Sequence, residues 1–259
     1  HFAFTYDEEV GCTGAPPMID EMVKHLPRAE CAIIGEPSTM QVVTGHKGGA
    51  GYAVHIKGFE VHSSIMHEGV NAIMEGARII DWGNQQNAAN RAKTPGPLDA
   101  VFSPPWTTLH TGQILGGTAH NITAGDCQFG FDFRCVPGDD LEAWKAALLK
   151  KIAEVEAGMK AVRPEASITA EKYFQIPALA PETDGAAERL ARRLTGDNGT
   201  HVVSYGTEAG QFQERGYSAV VCGPGDIAQA HQPNEFIEIA QFNAGVDFMA
   251  RLLTRLEEG

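Results

Sequence analysis

Cys31-Ala32-Ile33-Ile34-Gly35-Glu36-Pro37 is an apolar run that ends abruptly in a glycine, a carboxylate and a proline. Runs of the same kind occur at 2–6, 202–205 and 219–222, each followed directly by Asp or Gly. Continuous apolar runs are typical of strands that are covered on both faces, as in an α/β sheet. The sequence therefore predicts a sheet of buried strands whose ends lead into polar loops.

Two amphipathic stripes predict helices that cover this sheet. In each stripe, apolar residues recur at the three- and four-residue spacing of one helix face. The first stripe is Ala187, Leu190, Ala191 and Leu194, and the second is Phe242, Val246, Met249 and Leu253. Both apolar faces are expected to pack against the strands.

The middle of the chain alternates apolar residues with polar or small ones. The alternating apolar residues are Tyr52, Val54 and Ile56 in one segment and Phe129, Phe131 and Phe133 in another. A period of two residues is typical of strands with one face exposed to water. This region is therefore expected to form a second, differently built sheet.

Helices are predicted beside these half-exposed strands, which gives the element order βαββαβ of a ferredoxin-like domain. One helix covers about 68–82, and the other has an apolar face of Leu141, Trp144, Leu148 and Ile152. The predicted fold class is α/β, with an inserted ferredoxin-like α+β domain. We assign 42–172 to the insert and 1–41 with 173–259 to the α/β domain.

Two further expectations concern the ends of these domains. Residues 84–105, rich in Asn, Gln, Ala and Pro, are predicted to form a surface loop of the insert. The chain opens without an initiator Met, on a stretch that already has the pattern of a core strand. We therefore expect an upstream portion of the α/β domain to be missing.

Composition and charge exclude several classes of partner. The 259 residues are 43% hydrophobic and 20% charged, as in a soluble globular protein, and carry a formal charge of -13. This charge repels phosphate backbones and anionic lipids, so nucleic acid is not an expected partner. No apolar run approaches the roughly 18 to 20 residues that cross a membrane. Five widely spaced cysteines without a CxxC pair favour reduced thiols and a cytoplasmic location.

Acidic residues follow the predicted strands, where ligands bind in open α/β sheets. These residues are Asp7, Glu8 and Glu9, then Glu36, then Glu208, with His231 after the last strand. Carboxylates and imidazole are ligands that zinc or cobalt accepts, and a spare carboxylate can act as a general base. For the Glu8-Glu9 pair taken alone, a solvated acidic turn remains the alternative.

Four separated motifs resemble the M20 metallopeptidase family, in the same order and with the same spacing. They are 4–11, 34–38, the segment from Gly58 through 62–64 to 69–72, and the segment from 222–225 to 230–235. Within that family, 7–12 and 206–210 are most similar to the acetylornithine deacetylases. The resemblance covers essentially the whole chain.

The resemblance implies roles for the acidic residues and a cofactor of two divalent metal ions, Zn or Co. Glu8 would be the general base, Glu9 and Glu36 would be ligands of different metals, and His231 would share the metal of Glu9. The family also uses a His and a bridging Asp upstream of the glutamate pair, and neither is in this sequence. We therefore expect incomplete metal binding and no activity from this chain alone.

The resemblance also implies that the insert is a lid and dimerisation domain, so that the protein forms a homodimer. His62 would reach the partner's active site and help to stabilise the oxyanion. Asn121 and Arg134 match a lid pair that contacts the substrate carboxylate in relatives. The alternatives are a surface histidine, a turn residue and a solvated strand charge.

The implied reaction is hydrolysis of a small N-acyl amino acid, N-acetylornithine, to acetate and ornithine, a step of arginine biosynthesis. Related deacylases or peptidases remain alternatives, namely a succinyl-diaminopimelate desuccinylase, an aminoacylase or a dipeptidase. A dimerising fragment without turnover is the non-enzymatic alternative.

Overall fold

The computed structural model describes residues 1–258 and divides into two compact units. Unit 1 comprises His1–Gly48, Pro97–Ser103 and the chain from Ile176 onward, and unit 2 comprises Gly49–Gly96 and Pro104–Gln175. In chain order, the elements are α1 (Ala15–His25), β1 (Cys31–Ile34), β2 (Val43–His46), β3 (Gly48–Lys57), α2 (Ala72–Ala92), β4 (Thr108–His110), β5 (Ile114–Gly116), β6 (Asp126–Cys135), α3 (Leu141–Val162), β7 (Ser167–Ile176), α4 (Ala186–Thr195), β8 (His201–Val203), α5 (Ala209–Glu214), β9 (Ser218–Val221) and α6 (Ile239–Glu257).

Unit 1 is an α/β layer structure, as the apolar runs predict. Its sheet has the order β1-β9-β2-β8, with β1 parallel to β9 and β2 parallel to β8. Alternate side chains of the strands pack against α1 and α5 on one face and against α4 and α6 on the other. The strands predicted at 31–34, 202–205 and 219–222 are confirmed within about two residues at each end.

The strand predicted at 2–6 is wrong. These residues have no regular secondary structure, and Phe2, Phe4 and Tyr6 are exposed. A strand must pair its backbone N–H and C=O groups with a neighbour, and no strand of residues 1–258 pairs with this segment. Apolar composition alone therefore does not make a strand here.

Unit 2 confirms the predicted ferredoxin-like fold. Its sheet has the order β4-β6-β3-β7, and the short strand β5 adds a second antiparallel pairing to β6. Helices α2 and α3 cover one face, against which the predicted alternating residues of β3 and β6 are buried. Leu148 and Ile152 of α3 join this core, and Leu141 and Trp144 pack against it.

The predicted loop at 84–105 is partly wrong, because α2 continues to Ala92. Two asparagines of α2 explain this extension: Asn87 exchanges two hydrogen bonds with the backbone of Leu109, at 2.7 and 2.9 Å, and Asn90 donates to Thr107 O at 2.9 Å. The helix is thereby fastened to the end of β4. Further along the loop, Phe102 is buried in unit 1 rather than at the surface.

The helix predicted near the C-terminal end is present as α6, but most of its apolar stripe is not covered. Phe242, Val246 and Leu253 are each more than half exposed, and Phe248, outside that stripe, is the buried residue of the helix. Only Met249 of the predicted stripe packs against the core. Helical spacing gave the helix correctly but not the face that it buries.

The boundary of the insert also differs from its expected position. Strand β2, which the expectation placed in the insert, pairs with β8 and β9 of unit 1, and the division falls after Gly48. None of the five cysteines is in a disulfide, and four of them, Cys12, Cys127, Cys135 and Cys222, are buried. Among the described residues, no helix is both long enough and apolar enough to span a membrane.

Candidate metal centre

The Glu8-Glu9 pair lies in a tight turn at the beginning of unit 1. The N–H groups of Gly11 and Cys12 donate to Glu8 O at 3.1 and 3.0 Å, and the buried Cys12 thiol lies 3.5 Å from Glu8 Oε1. Asp7 and Cys12 both have positive φ, 60° and 56°, which is uncommon outside glycine. Such strained residues persist where the surroundings fix them and cluster at functional sites.

Glu36 follows β1 in a loop that is bound closely to the loop after β9. Ser38 N and Met40 N both donate to Gly223 O, and Gly223 N donates to Ser38 Oγ at 3.1 Å. A Cβ atom on Gly223 would lie 2.4 Å from the carbonyl oxygen of Gly35 and 2.6 Å from that of Glu36. Glycine at 223 therefore allows the approach that places Glu36 beside the segment leading to His231.

His231 lies close to Glu9. Its Nε2 is 3.7 Å from Glu9 Oε2, and its backbone N–H donates to Glu235 Oε2 at 2.9 Å. The residue has φ of 58°, a further non-glycine residue in the left-handed region. The structure therefore brings together two of the residues that were predicted to share one metal.

The carboxylates of this region influence one another's ionisation. Burial, followed by the charges of Glu8, Glu208 and Glu9, raises the pKa of Glu36 from 4.5 to about 7, although His231 opposes the shift. Burial and the charge of Glu8 also raise the pKa of Glu208. Like charges held this close favour an added cation, as predicted for the ends of these strands.

Glu208 is one of the acidic residues that follow the predicted strands, but it is not among the predicted site residues. It is buried, and its Oε1 has no hydrogen-bond partner among residues 1–258. The available signal was its position directly after a predicted strand, where Glu36 also stands. Position alone could not show that the side chain turns inward.

The donor set fits a divalent cation in its chemistry. Carboxylate oxygens and one imidazole suit zinc, cobalt or similar ions, and the unpartnered Glu208 oxygen is an acceptor without a donor. Convergence is incomplete: within the described part of the chain, no three His, Cys, Asp or Glu side chains come close enough to hold an ion. Two of the predicted ligands, Glu9 and His231, do approach each other, to 3.7 Å.

His62 lies in unit 2, at the start of a 3₁₀ helix, Ser63–Glu68. Ser64 N donates to His62 Nδ1 at 3.3 Å, so in the neutral ring the proton resides on Nε2. The exposed side chain therefore presents an N–H donor, which the predicted oxyanion role requires. Asn121 lies next to it, because Ser63 N donates to Asn121 O at 2.8 Å.

Arg134 lies on β6, on the sheet face opposite the helices. Its Nε is 3.8 Å from Asp132 Oδ2, and its guanidinium stands over the Phe174 ring, 5.7 Å from the centroid. His110 Nδ1 lies 3.1 Å from the other oxygen of Asp132. These side chains line an open cavity of about 840 Å³, together with Arg91, Trp106 and Tyr173.

Comparison with known families finds a match in the middle of the chain. Residues 44–160 match the family described as the peptidase dimerisation domain, M20_dimer. The predicted resemblance to the M20 family is confirmed, and unit 2 corresponds to most of the matched region.

Among characterised proteins, the chain is similar to acetylornithine deacetylases. It is 34% identical to that of Myxococcus xanthus and 33% identical to that of Erwinia tasmaniensis, over 91% and 96% of its own length. The enzyme of Salmonella heidelberg is 34% identical over 90% of the chain. The chain spans 58–62% of the length of these relatives.

Solved structures show the same fold at lower identity. An aminopeptidase PepT from Bacillus cereus is 20% identical with a TM-score of 0.68, and a tripeptidase from Staphylococcus aureus is 22% identical with a TM-score of 0.67. Each alignment covers 95% of this chain and 61% of the other. The mixed α/β fold class predicted from the sequence is confirmed.

Proposed function

We propose that this chain carries the general base and part of the metal site of an M20-type amidohydrolase that deacetylates N-acetylornithine. The observation that carries the proposal is the contact of Glu9 with His231, 3.7 Å apart, beside the turn that holds Glu8. The similarity to acetylornithine deacetylases supports the substrate. By that similarity, the reaction belongs to arginine biosynthesis in the cytoplasm.

Glu8 is assigned as the general base. It takes the proton of the attacking water and returns it to the amine as the amide bond breaks, so that acetate and ornithine form. Glu8 is partly buried, and Gly11 N and Cys12 N hold its backbone carbonyl in the turn. Its Oε1 lies 3.5 Å from the Cys12 thiol, and this restricted position suits a group that must exchange one proton. Glu9, Glu36 and His231 would hold the divalent ions, Zn or Co, which supply Lewis-acid polarisation of the amide.

Unit 2 is assigned to dimerisation and substrate recognition. The match to the peptidase dimerisation domain supports a homodimer. In that dimer, the Nε2–H of His62 would stabilise the oxyanion in the partner's site. Asn121 and Arg134 would bind the substrate carboxylate, and Arg suits this task because its planar fork can donate two parallel hydrogen bonds.

Release of acetate tests the proposal directly. The 259-residue chain is incubated with N-acetylornithine and Zn²⁺ or Co²⁺, and N-succinyl-diaminopimelate is assayed alongside. Acetate release that Glu8→Gln abolishes, while metal content stays unchanged, supports the deacetylase. Faster release of succinate would move the assignment to a desuccinylase.

A dimerising module without turnover is the second candidate. It is favoured by the absence, among residues 1–258, of any three side chains that converge to hold an ion. Sedimentation of the same sample, together with the acid-release assay, distinguishes them. A dimer that binds metal but releases neither acetate nor succinate supports the module. A monomer contradicts the dimerising role that both candidates give to unit 2.

A further inference from the structure

One turn of α5 carries two buried acceptor atoms that have no donor. Glu208 Oε1 and Gln211 Oε1 find no hydrogen-bond partner in the described chain, and the residues are only 7% and 3% exposed. Buried polar atoms are nearly always paired, so each exception requires an explanation. Two such acceptors, one turn apart, indicate a missing donor or cation.

The environment of Glu208 directs it toward the metal centre. Gln211 Nε2 donates to Cys12 O at 3.1 Å, which packs this turn of α5 against the segment that bears Glu8. The side chain of Thr5 hydrogen-bonds to the Glu208 carboxylate, and the charge of Glu208 raises the pKa of Glu36. Glu208 therefore lies near enough to the same acidic cluster to affect its ionisation.

A structural role in capping does not account for this carboxylate. Glu208 occupies the N-cap position of α5, but its side chain makes no cap hydrogen bond, and Ala209 N is bound instead by Thr207 Oγ1 at 3.1 Å. Gly210 N donates to His46 Nε2 at 3.3 Å, which fixes the turn from its buried side. The turn is thus held in place without using the Glu208 charge.

We propose that Glu208 is a further carboxylate of the metal centre, and that its buried Oε1 faces a divalent cation held near Glu8, Glu9, Glu36 and His231. This inference rests on the metal-dependent function proposed above. A fourth acid in a cluster of like charges adds repulsion, and only a cation converts that repulsion into binding. In the metal-free chain, the same residue should be a source of instability.

Calorimetric titration with Zn²⁺ tests the proposal on the 259-residue chain. We expect Glu208→Gln to weaken Zn²⁺ binding at least tenfold, because the amide keeps the shape but loses the charge. Glu214→Gln is the matched control, since it removes an equal charge from the exposed end of the same helix and should stay within twofold of wild type. The visible absorption spectrum of the Co²⁺-loaded protein should change in Glu208→Gln but not in Glu214→Gln.

Two further variants make every outcome decisive. Glu208→Asp keeps the charge but withdraws it by one methylene, so intermediate Zn²⁺ affinity is expected. Glu36→Gln reports on the centre itself. If Glu36→Gln weakens Zn²⁺ binding and Glu208→Gln does not, the metal centre stands and the role of Glu208 is overturned. If the wild-type chain binds no Zn²⁺, both proposals fail.

Thermal unfolding without metal is a separate measurement. In it, Glu208→Gln should be at least as stable as wild type.

Discussion

The sheet of unit 2 and the last helix of unit 1 bury their predicted apolar faces to different extents. The inward faces of β3 and β6 in unit 2 are buried, with Phe131 and Phe133 at most 1% exposed, and Leu148 of α3 is fully buried in the same core. Unit 1 leaves the stripe of Phe242 and Leu253 on α6 at 58% and 53% exposure. The difference teaches that unit 2 is specified by its core. On α6 of unit 1, by contrast, the predicted apolar stripe is not the face that the core buries.

The sharpest test of this contrast is a substitution that creates a cavity in the core of unit 2. Phe131 packs between Trp82 and Phe133, with ring centroids 6.1 and 5.6 Å away. We expect Phe131→Ala to lower the free energy of unfolding by about 3 to 5 kcal/mol, because lost burial and an unfilled cavity add. Urea denaturation followed by tryptophan fluorescence measures this. Point substitutions destabilise proteins by about 1 kcal/mol on average. A loss below that value would show that packing around Phe131 does not determine the stability of unit 2.

A smaller effect is expected where unit 1 brings two loops together. Gly223→Ala forces a Cβ atom against the carbonyl oxygens of Gly35 and Glu36, so we expect a loss of about 1 to 3 kcal/mol. Gly35→Ala is the matched control in the same pair of loops, because nothing lies within 4 Å of its Cβ position. Equal stabilities of the two variants in thermal unfolding would contradict the close approach.

The acidic cluster should make the metal-free chain sensitive to pH. The pKa of Glu36 is raised from 4.5 to about 7, so the unfolded chain releases this proton at a lower pH than the folded chain. Stability from this group is therefore lost as pH rises through that interval. We expect Glu36→Gln to recover about 1 kcal/mol at pH 7.5, after allowance for solvent screening of a half-buried group. Unfolding is measured in EDTA from pH 4.5 to 7.5, and parallel curves for both proteins would count against the shift.

The smallest effect is expected on α6. Leu253→Ser should change the free energy of unfolding by no more than about 0.5 kcal/mol, because an exposed side chain loses little on exchange for a polar one. The same denaturation experiment serves, with Phe248→Ser, the buried residue of this helix, as the contrasting variant. A large loss at Leu253 would mean that the stripe is covered in solution.

The sequence predicted elements well where one pattern had a single physical meaning. Alternation in β3 and β6 could only arise from a half-exposed sheet, and the abrupt end of the run at Ile34 marked a real strand. The prediction failed where contacts with distant parts of the chain, rather than the local pattern, determine the structure. The apolar run at 2–6 lacks a pairing strand, and α2 continues past Trp82 because Asn87 and Asn90 bond to β4, a contact invisible to composition.

The candidate site divides in the same way. The proximity of Glu9 and His231 was expected from resemblance, and the structure places them together, whereas the roles of Glu8, His62, Asn121 and Arg134 remain predictions. Glu208 could not have been chosen from the sequence alone. Its significance depends on burial and on an unpartnered oxygen, both of which arise only when α5 packs against the Cys12 segment.

The buried cysteines are divided between the two units, so they can report separately on the opening of each unit. Cys12 and Cys222 are buried in unit 1, and Cys127 and Cys135 are buried in unit 2. An alkylating reagent reaches a buried sulfur only when the surrounding structure opens. Mass spectrometry gives the order in which these four cysteines are alkylated. That order therefore shows which unit opens first, with no tag or dye introduced.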